Sequence, residues 1–121
     1  MAETRKELED VLKNLRKIGD ITGSAIVRRD GLLIASGLPT EVDAKAVSAM
    51  AAAIVGTSET SAKELGIGDF DEVIVNASKG QYACIGAGEE ALLISLLRKE
   101  ANIGLVLIEM EKAAKNIGRL L

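Results

Sequence analysis

Hydrophobic positions along this chain follow two periods, and the switches between them mark out its elements. Leu8, Val11, Leu12, Leu15 and Ile18 recur at spacings of three and four with charged residues between them, the stripe of an amphipathic helix. Thr4 and Glu7 stand at capping-box spacing at its start, and Gly19 supplies a stop. Two short β-type runs follow, 24–28 and 32–36, with Asp30-Gly31 between them. Asp-Gly favours the positive φ of a tight hairpin turn. Asp30 therefore reads as a turn residue, because a catalytic carboxylate needs a chemical partner that its neighbours do not supply.

Pro39 and Thr40 open a long helix over about 42–65, with Thr40 and Asp43 again at capping spacing and Gly66 closing it. Val47, Met50, Ile54, Ser61 and Leu65 lie on one side at helical spacing and are expected to face a sheet. The other side carries Ala49, Ala52, Ala53, Gly56 and Thr60, with Lys45, Glu59 and Lys63 around them and Ser48 between. Exposed helix surface is ordinarily long and charged, whereas a ridge of small residues lets a second helix approach closely. Alanine is also simply a good helix former. Gly56 tips the balance toward helix–helix contact, since glycine in mid-helix costs about 1 kcal/mol relative to alanine.

Three more strands follow, at 72–76, 81–87 and 91–97, joined by Ser78-Lys79-Gly80 and Gly88-Glu89-Glu90. Links this short permit only antiparallel neighbours. The run 91–97 is apolar on both faces, which marks a central strand covered on both sides. Val73, Ile74 and Val75 are three β-branched residues in a row; at a sheet edge they would be a template for pairing. Asn102 caps a last helix from 103 to about 119, with Ile103, Val106, Leu107, Met110, Ala114, Ile117 and Leu121 as its buried stripe. Lys112, Lys115 and Arg119 complement the dipole at its end. The order is α-β-β-α-β-β-β-α, an α/β (α+β) arrangement with the sheet between helices.

Composition narrows the function more than it suggests one. The chain has 121 residues and a net charge of −3, which suits one domain and argues against nucleic acid or an anionic membrane surface as partner. It has no histidine, and so lacks the commonest general acid–base group and metal ligand. Its single cysteine, Cys84, lies mid-strand with no base to activate it and reads as a small core residue. One cysteine forms no internal disulfide, in keeping with a reducing cytoplasm. Asp69, Asp71 and Glu72 suit edge-strand charges better than a calcium loop. Gly66-Ile67-Gly68 follows a helix and Gly86-Ala87-Gly88 sits in a hairpin, so neither places a helix N-terminus against a phosphate. No P-loop is present. The stretch Met1–Lys6 runs straight into charge, unlike a secretory signal, and the apolar run 91–97 is too short to span a bilayer. These features describe a soluble, cytoplasmic protein without catalytic, cofactor or metal residues.

The order of elements, the hairpin over 23–36, the long Ala-rich helix, the three-strand meander and Ala101-Asn102-Ile103-Gly104-Leu105 together resemble the roadblock/LC7 family, including its MglB-like prokaryotic members. The resemblance covers nearly the whole chain and implies a single domain over 1–121. It implies a roadblock/profilin-like three-layer α/β/α sandwich whose five-stranded antiparallel sheet has the order 2-1-5-4-3. It also implies pairing of third strands and long helices in a homodimer, or in a heterodimer with a paralogous roadblock protein. The expected interface is then Ala49, Ala52, Ala53, Gly56, Thr60, Val73, Ile74 and Val75. Members of the family regulate or scaffold Ras-like small GTPases or serve as dynein light chains, and a minimal chain is more similar to the GTPase-linked type. Lys45, Ser48, Glu59 and Lys63 are the expected partner contacts. The resemblance supplies no catalytic motif, and no spacing marks Arg28, Arg29 or Arg98 as an arginine finger. The rival reading is a structural light-chain-like subunit with no dependence on a nucleotide switch; a small-molecule sensor of similar build is a third.

Overall fold

The computed structural model describes residues 2–121; Met1, part of the charged N-terminal stretch, lies outside them. The elements run α1 (Ala2–Arg16), β1 (Ile21–Arg28), β2 (Leu33–Ser36), α2 (Ala44–Glu64), β3 (Glu72–Ala77), β4 (Gly80–Ala87), β5 (Ala91–Leu97) and α3 (Ile103–Leu120). The strands form one antiparallel sheet in the order β2-β1-β5-β4-β3. β5 is its centre, as a strand apolar on both faces must be. Alternate β5 side chains feed two cores. Leu92 and Ile94 meet Ala51 and Val55 of α2, while Leu93 and Leu97 meet Leu12 and Leu15 of α1 and Met110 and Ile117 of α3. The fold is the three-layer roadblock/profilin-like sandwich. Two serines, Ser24 and Ser95, are buried where β1 meets β5 and satisfy each other through a 2.8 Å hydrogen bond.

Local chemistry sets the boundaries, with some departures from the sequence reading. The cap of α2 is Asp43, not Thr40: its carboxylate accepts from the Ala46 N–H at 3.1 Å, after a turn in which the Val42 N–H reaches the Pro39 carbonyl. Thr4 lies inside α1, which already begins at Ala2, so Thr4 and Glu7 form no capping box. At the other end of α2, the Gly66 N–H reaches the Lys63 carbonyl and the Ile67 N–H reaches that of Ala62, with Gly66 at φ 69°. This Schellman arrangement needs glycine at that position. The β1–β2 turn uses one positive φ, at Gly31 (98°), rather than two. The Asp30 carboxylate accepts from the Leu32 N–H at 3.2 Å and pairs with Arg28, which holds it below the usual carboxylate range.

The largest correction concerns the rotation of α2. Ser48, Ala51 and Val55 are its buried residues, with Val47 and Ile54 half-buried. Met50 and Leu65, expected inside, are 61% and 72% exposed, and Ser61 is exposed too. The cause is the close seat of the β1–β2 turn on the helix. The Ser48 hydroxyl donates to the Gly31 carbonyl at 2.7 Å, and a Cβ on Gly31 would stand only 3.4 Å from the Ala49 Cα. Only small side chains fit on that flank. In α3 the Asn102 cap is as expected, its side chain accepting from the Leu105 N–H at 3.2 Å. Leu121, placed in the buried stripe, is instead 44% exposed, and Ala113 is buried.

Candidate interaction surface

α2 offers solvent a face that its own chain leaves open. Ala49, Ala53, Gly56 and Thr60 are exposed, and Ala52 is half-buried beside Gly31. A Cβ built on Gly56 would meet nothing within 4 Å, so no contact inside this chain calls for glycine there. Its helix-propensity cost of about 1 kcal/mol is uncompensated by the fold. Met50 belongs to this exposed face, and Leu65 and Ile67 (72% and 74% exposed) extend the apolar surface past the helix end. The sequence reading missed all three; Gly66 and Gly68 bracketing Ile67, both at positive φ, are the signal that could have found the tip.

β3 borders this face. It is an edge strand, and α2 packs against it. Val73 and Val75 stand opposite Cys84 and Tyr82, both in the α2-side core, and are half-buried. Ile74 points to the other side of the sheet and is 40% exposed. The strand's outer backbone groups have no partner strand among the described residues. Unpaired edge groups are a template on which another strand can pair.

The expected partner contacts are not gathered in one place. Lys45 and Lys63 are exposed but sit near opposite ends of α2, about 27 Å apart along its axis. Glu59 is half-buried and ion-paired with Arg29 at 2.9 Å. Ser48 is wholly buried by its bond to Gly31 and cannot touch a partner.

The three candidate arginines are each committed to an ion pair: Arg28 with Asp30, Arg29 with Glu59, and Arg98 with Asp20. Arg29 also reaches the Gly88 carbonyl at 3.3 Å, crossing Gly86, where a Cβ would come within 2.9 Å of its guanidinium. Gly88 in turn packs on Gly118 of α3. The Gly86-Ala87-Gly88 pair thus serves packing. Asp20 accepts from the Asn102 N–H at 2.9 Å and from the Arg98 guanidinium at 2.6 and 2.9 Å, which holds its carboxyl below the usual range. Burial pushes the Cys84 thiol up to about 12, where it is no nucleophile at neutral pH. Among the described residues no group of three or more His, Cys, Asp or Glu side chains is placed to hold a metal ion. Among them, too, no helix is long and apolar enough to cross a membrane.

Residues 7–96 match the Roadblock/LC7 domain. The chain belongs to that family. Two uncharacterised proteins of Methanocaldococcus jannaschii are each 40% identical to this Roadblock/LC7 protein over 110 residues, covering 91% of this chain and 96% of theirs. Among solved structures, Myxococcus xanthus MglB superimposes with a TM-score of 0.87 at 20% identity, covering 96% of this chain and 88% of that one. A Roadblock/LC7 domain from Streptomyces avermitilis gives 0.81 at 22%, covering 88% and 91%. These likenesses carry the fold. Family membership places the chain among adaptor and light-chain-like domains rather than typical enzymes.

Proposed function

We propose that this chain is a dimeric, non-enzymatic adaptor for a Ras-like small GTPase, acting in the cytoplasm as one domain over 1–121. The observation that carries the reading is Gly56: an exposed mid-helix glycine with free space around it, on a face almost without charge and next to an open strand edge. A two-fold axis beside β3 lets two β3 strands pair and two α2 helices cross at Gly56, extending one sheet through both subunits. Ala49, Ala52, Ala53, Thr60, Val73, Ile74 and Val75 complete the contact. A paralogous roadblock chain presenting the same features is an equivalent partner. The GTPase then docks on the paired α2 layer, where Lys45, Glu59 and Lys63 flank the apolar surface. Arg28, Arg29 and Arg98 are occupied in ion pairs, so the role is to hold or reshape the GTPase rather than to insert an arginine.

The experiment is capture of P-loop proteins from native lysate on immobilised protein, with and without a GTP analogue. Nucleotide-dependent capture supports the reading; capture indifferent to nucleotide makes the chain a structural light-chain-like subunit. Reversing Lys45 and Lys63 together is expected to weaken capture in a salt-sensitive way, by about 1 kcal/mol or less per charge, with dimerisation intact. Unchanged affinity on a confirmed dimer moves the docking surface to the α1/α3 layer.

A further inference from the structure

The second edge of the sheet is built differently from the first. β2 is four residues long and forms the floor of a cleft of about 580 Å³ between α1 and α2. One wall carries Arg5 and Glu9 of α1, and the other carries Lys45 of α2. Leu32, at the mouth of the strand, is 55% exposed, and Ile34 is half-buried. The Gly37 N–H turns inward to the Ser24 carbonyl at 2.8 Å. The alternation of an antiparallel ladder therefore turns the Ser36 N–H and carbonyl outward, away from its register partner Ala25. Unpaired ladder groups of this kind are matched by one class of occupant, another extended backbone.

The charges say what that backbone carries. Among the described residues neither Arg5 nor Lys45 has an ion-pair partner, and Glu9 is the single acid lining the cleft. The cleft is thus cationic in a protein of net charge −3. A second copy adding its own β2 would bring two sets of these cations together, which disfavours self-pairing. We propose that the β2 edge receives an extended segment of a partner protein as a sixth strand, with acidic side chains set against Arg5 and Lys45. The strand is about 13 Å long, and its register on β1 skips Ile34 at a bulge. It therefore offers a short linear segment the Ser36 groups and an irregular stretch beyond them. This docking is separate from the β3 edge and shares with the α2 face only Lys45, at the start of that helix.

The test is an amide NMR titration of the full chain with an acetylated, amidated hexapeptide of alternating valine and glutamate. The expected result is saturable shifts centred on residues 31–36 and extending to Arg5 and Lys45, with none at β3. Arg5→Glu, an exposed position without hydrogen-bond partners among the described residues, is expected to weaken binding about fivefold. The same peptide with alternate amides N-methylated is expected to give no shifts, and a valine–lysine peptide is expected to bind more weakly. Light scattering of Arg5→Glu is expected to match the parent chain, which keeps this result apart from the dimer. Absence of shifts up to about 5 mM peptide overturns the proposal. Shifts at β3 alone, or equal binding of the lysine peptide, do the same.

Discussion

The two helix layers cover one sheet by different means, and two glycines show how. α1 is a conventional amphipathic helix, with 8 of its 15 residues charged and its apolar stripe turned inward. α2 has 4 charged residues in 21, and its outer face is alanine, glycine, threonine and an exposed methionine. Gly118, in α3, is pressed against Gly88, whose Cα and N both lie 3.3 Å from the place a Cβ would take. Gly56, in α2, has nothing within 4 Å of that place. The first glycine is required by a contact inside the chain. The second is not, and that open space is what supports the contact proposed outside the chain.

The largest effect expected from breaking this contrast is at Gly118. Gly118→Val drives two methyls into the β4–β5 turn, which is held there by the Arg29 bridge to Gly88, and overpacking of that kind costs about 1–3 kcal/mol. Urea denaturation of the variant should show it as a lowered midpoint with an unchanged slope. A midpoint equal to that of the parent chain means that the turn yields and the Gly88–Gly118 contact does not constrain it.

Gly56→Arg should do the reverse. The folded subunit loses nothing by it and gains up to about 1 kcal/mol in helix propensity. The proposed association is what should suffer, because a long charged side chain has no room where that dimer brings two helix backbones together. Light scattering at about 10 μM should find the parent chain dimeric and the variant monomeric. A monomeric parent, or a variant that still dimerises, removes the α2 interface.

How much of this could be read in the sequence follows the same division. Element order and the centre of the sheet were legible because β5 is apolar on both faces but for Ser95, and Asn102 sits where a cap must. The long helix of small residues was legible as a feature, but its rotation was not. Alanine carries no phase: Ala49 and Ala51 look alike in a pattern, yet one is exposed and the other buried. Met50 was drawn inward by its hydrophobicity alone. What decides the rotation is Gly31, 17 residues before Ser48, accepting its hydroxyl. Likewise Glu59 read as a free surface charge because its partner Arg29 lies 30 positions away. Contacts made by the fold leave no local signature.

Ser48→Ala separates the two readings of that residue. As a buried donor to the Gly31 carbonyl, its loss should cost about 1 kcal/mol by leaving the carbonyl short of a partner. Dimerisation and capture of a partner should not change. Parent-like stability combined with weakened capture would restore Ser48 to the interaction surface.

The smallest effect expected is acid sensitivity, and it sharpens the comparison from the α1/α3 side. Asp20 ties the α1–β1 turn to the start of α3 through the Asn102 N–H and Arg98, and its folded pKa lies below the ordinary value of 3.8. A carboxylate depressed in the folded state lends stability above its unfolded pKa, and that stability is lost as pH falls through the folded value. Urea midpoints should therefore hold level from neutral pH to about pH 4 and fall below it. Asp20→Asn should lower the neutral midpoint and flatten part of that fall. Asp30 is depressed too, first by Arg28 and then by the Leu32 N–H, but both partners are two residues away. Contacts so local survive in part in the unfolded chain, so Asp30→Asn should change the acid slope less. If the two variants have equal slopes, the Asp20 tie contributes no more than a hairpin turn, and the α1/α3 layer is held by its apolar core alone.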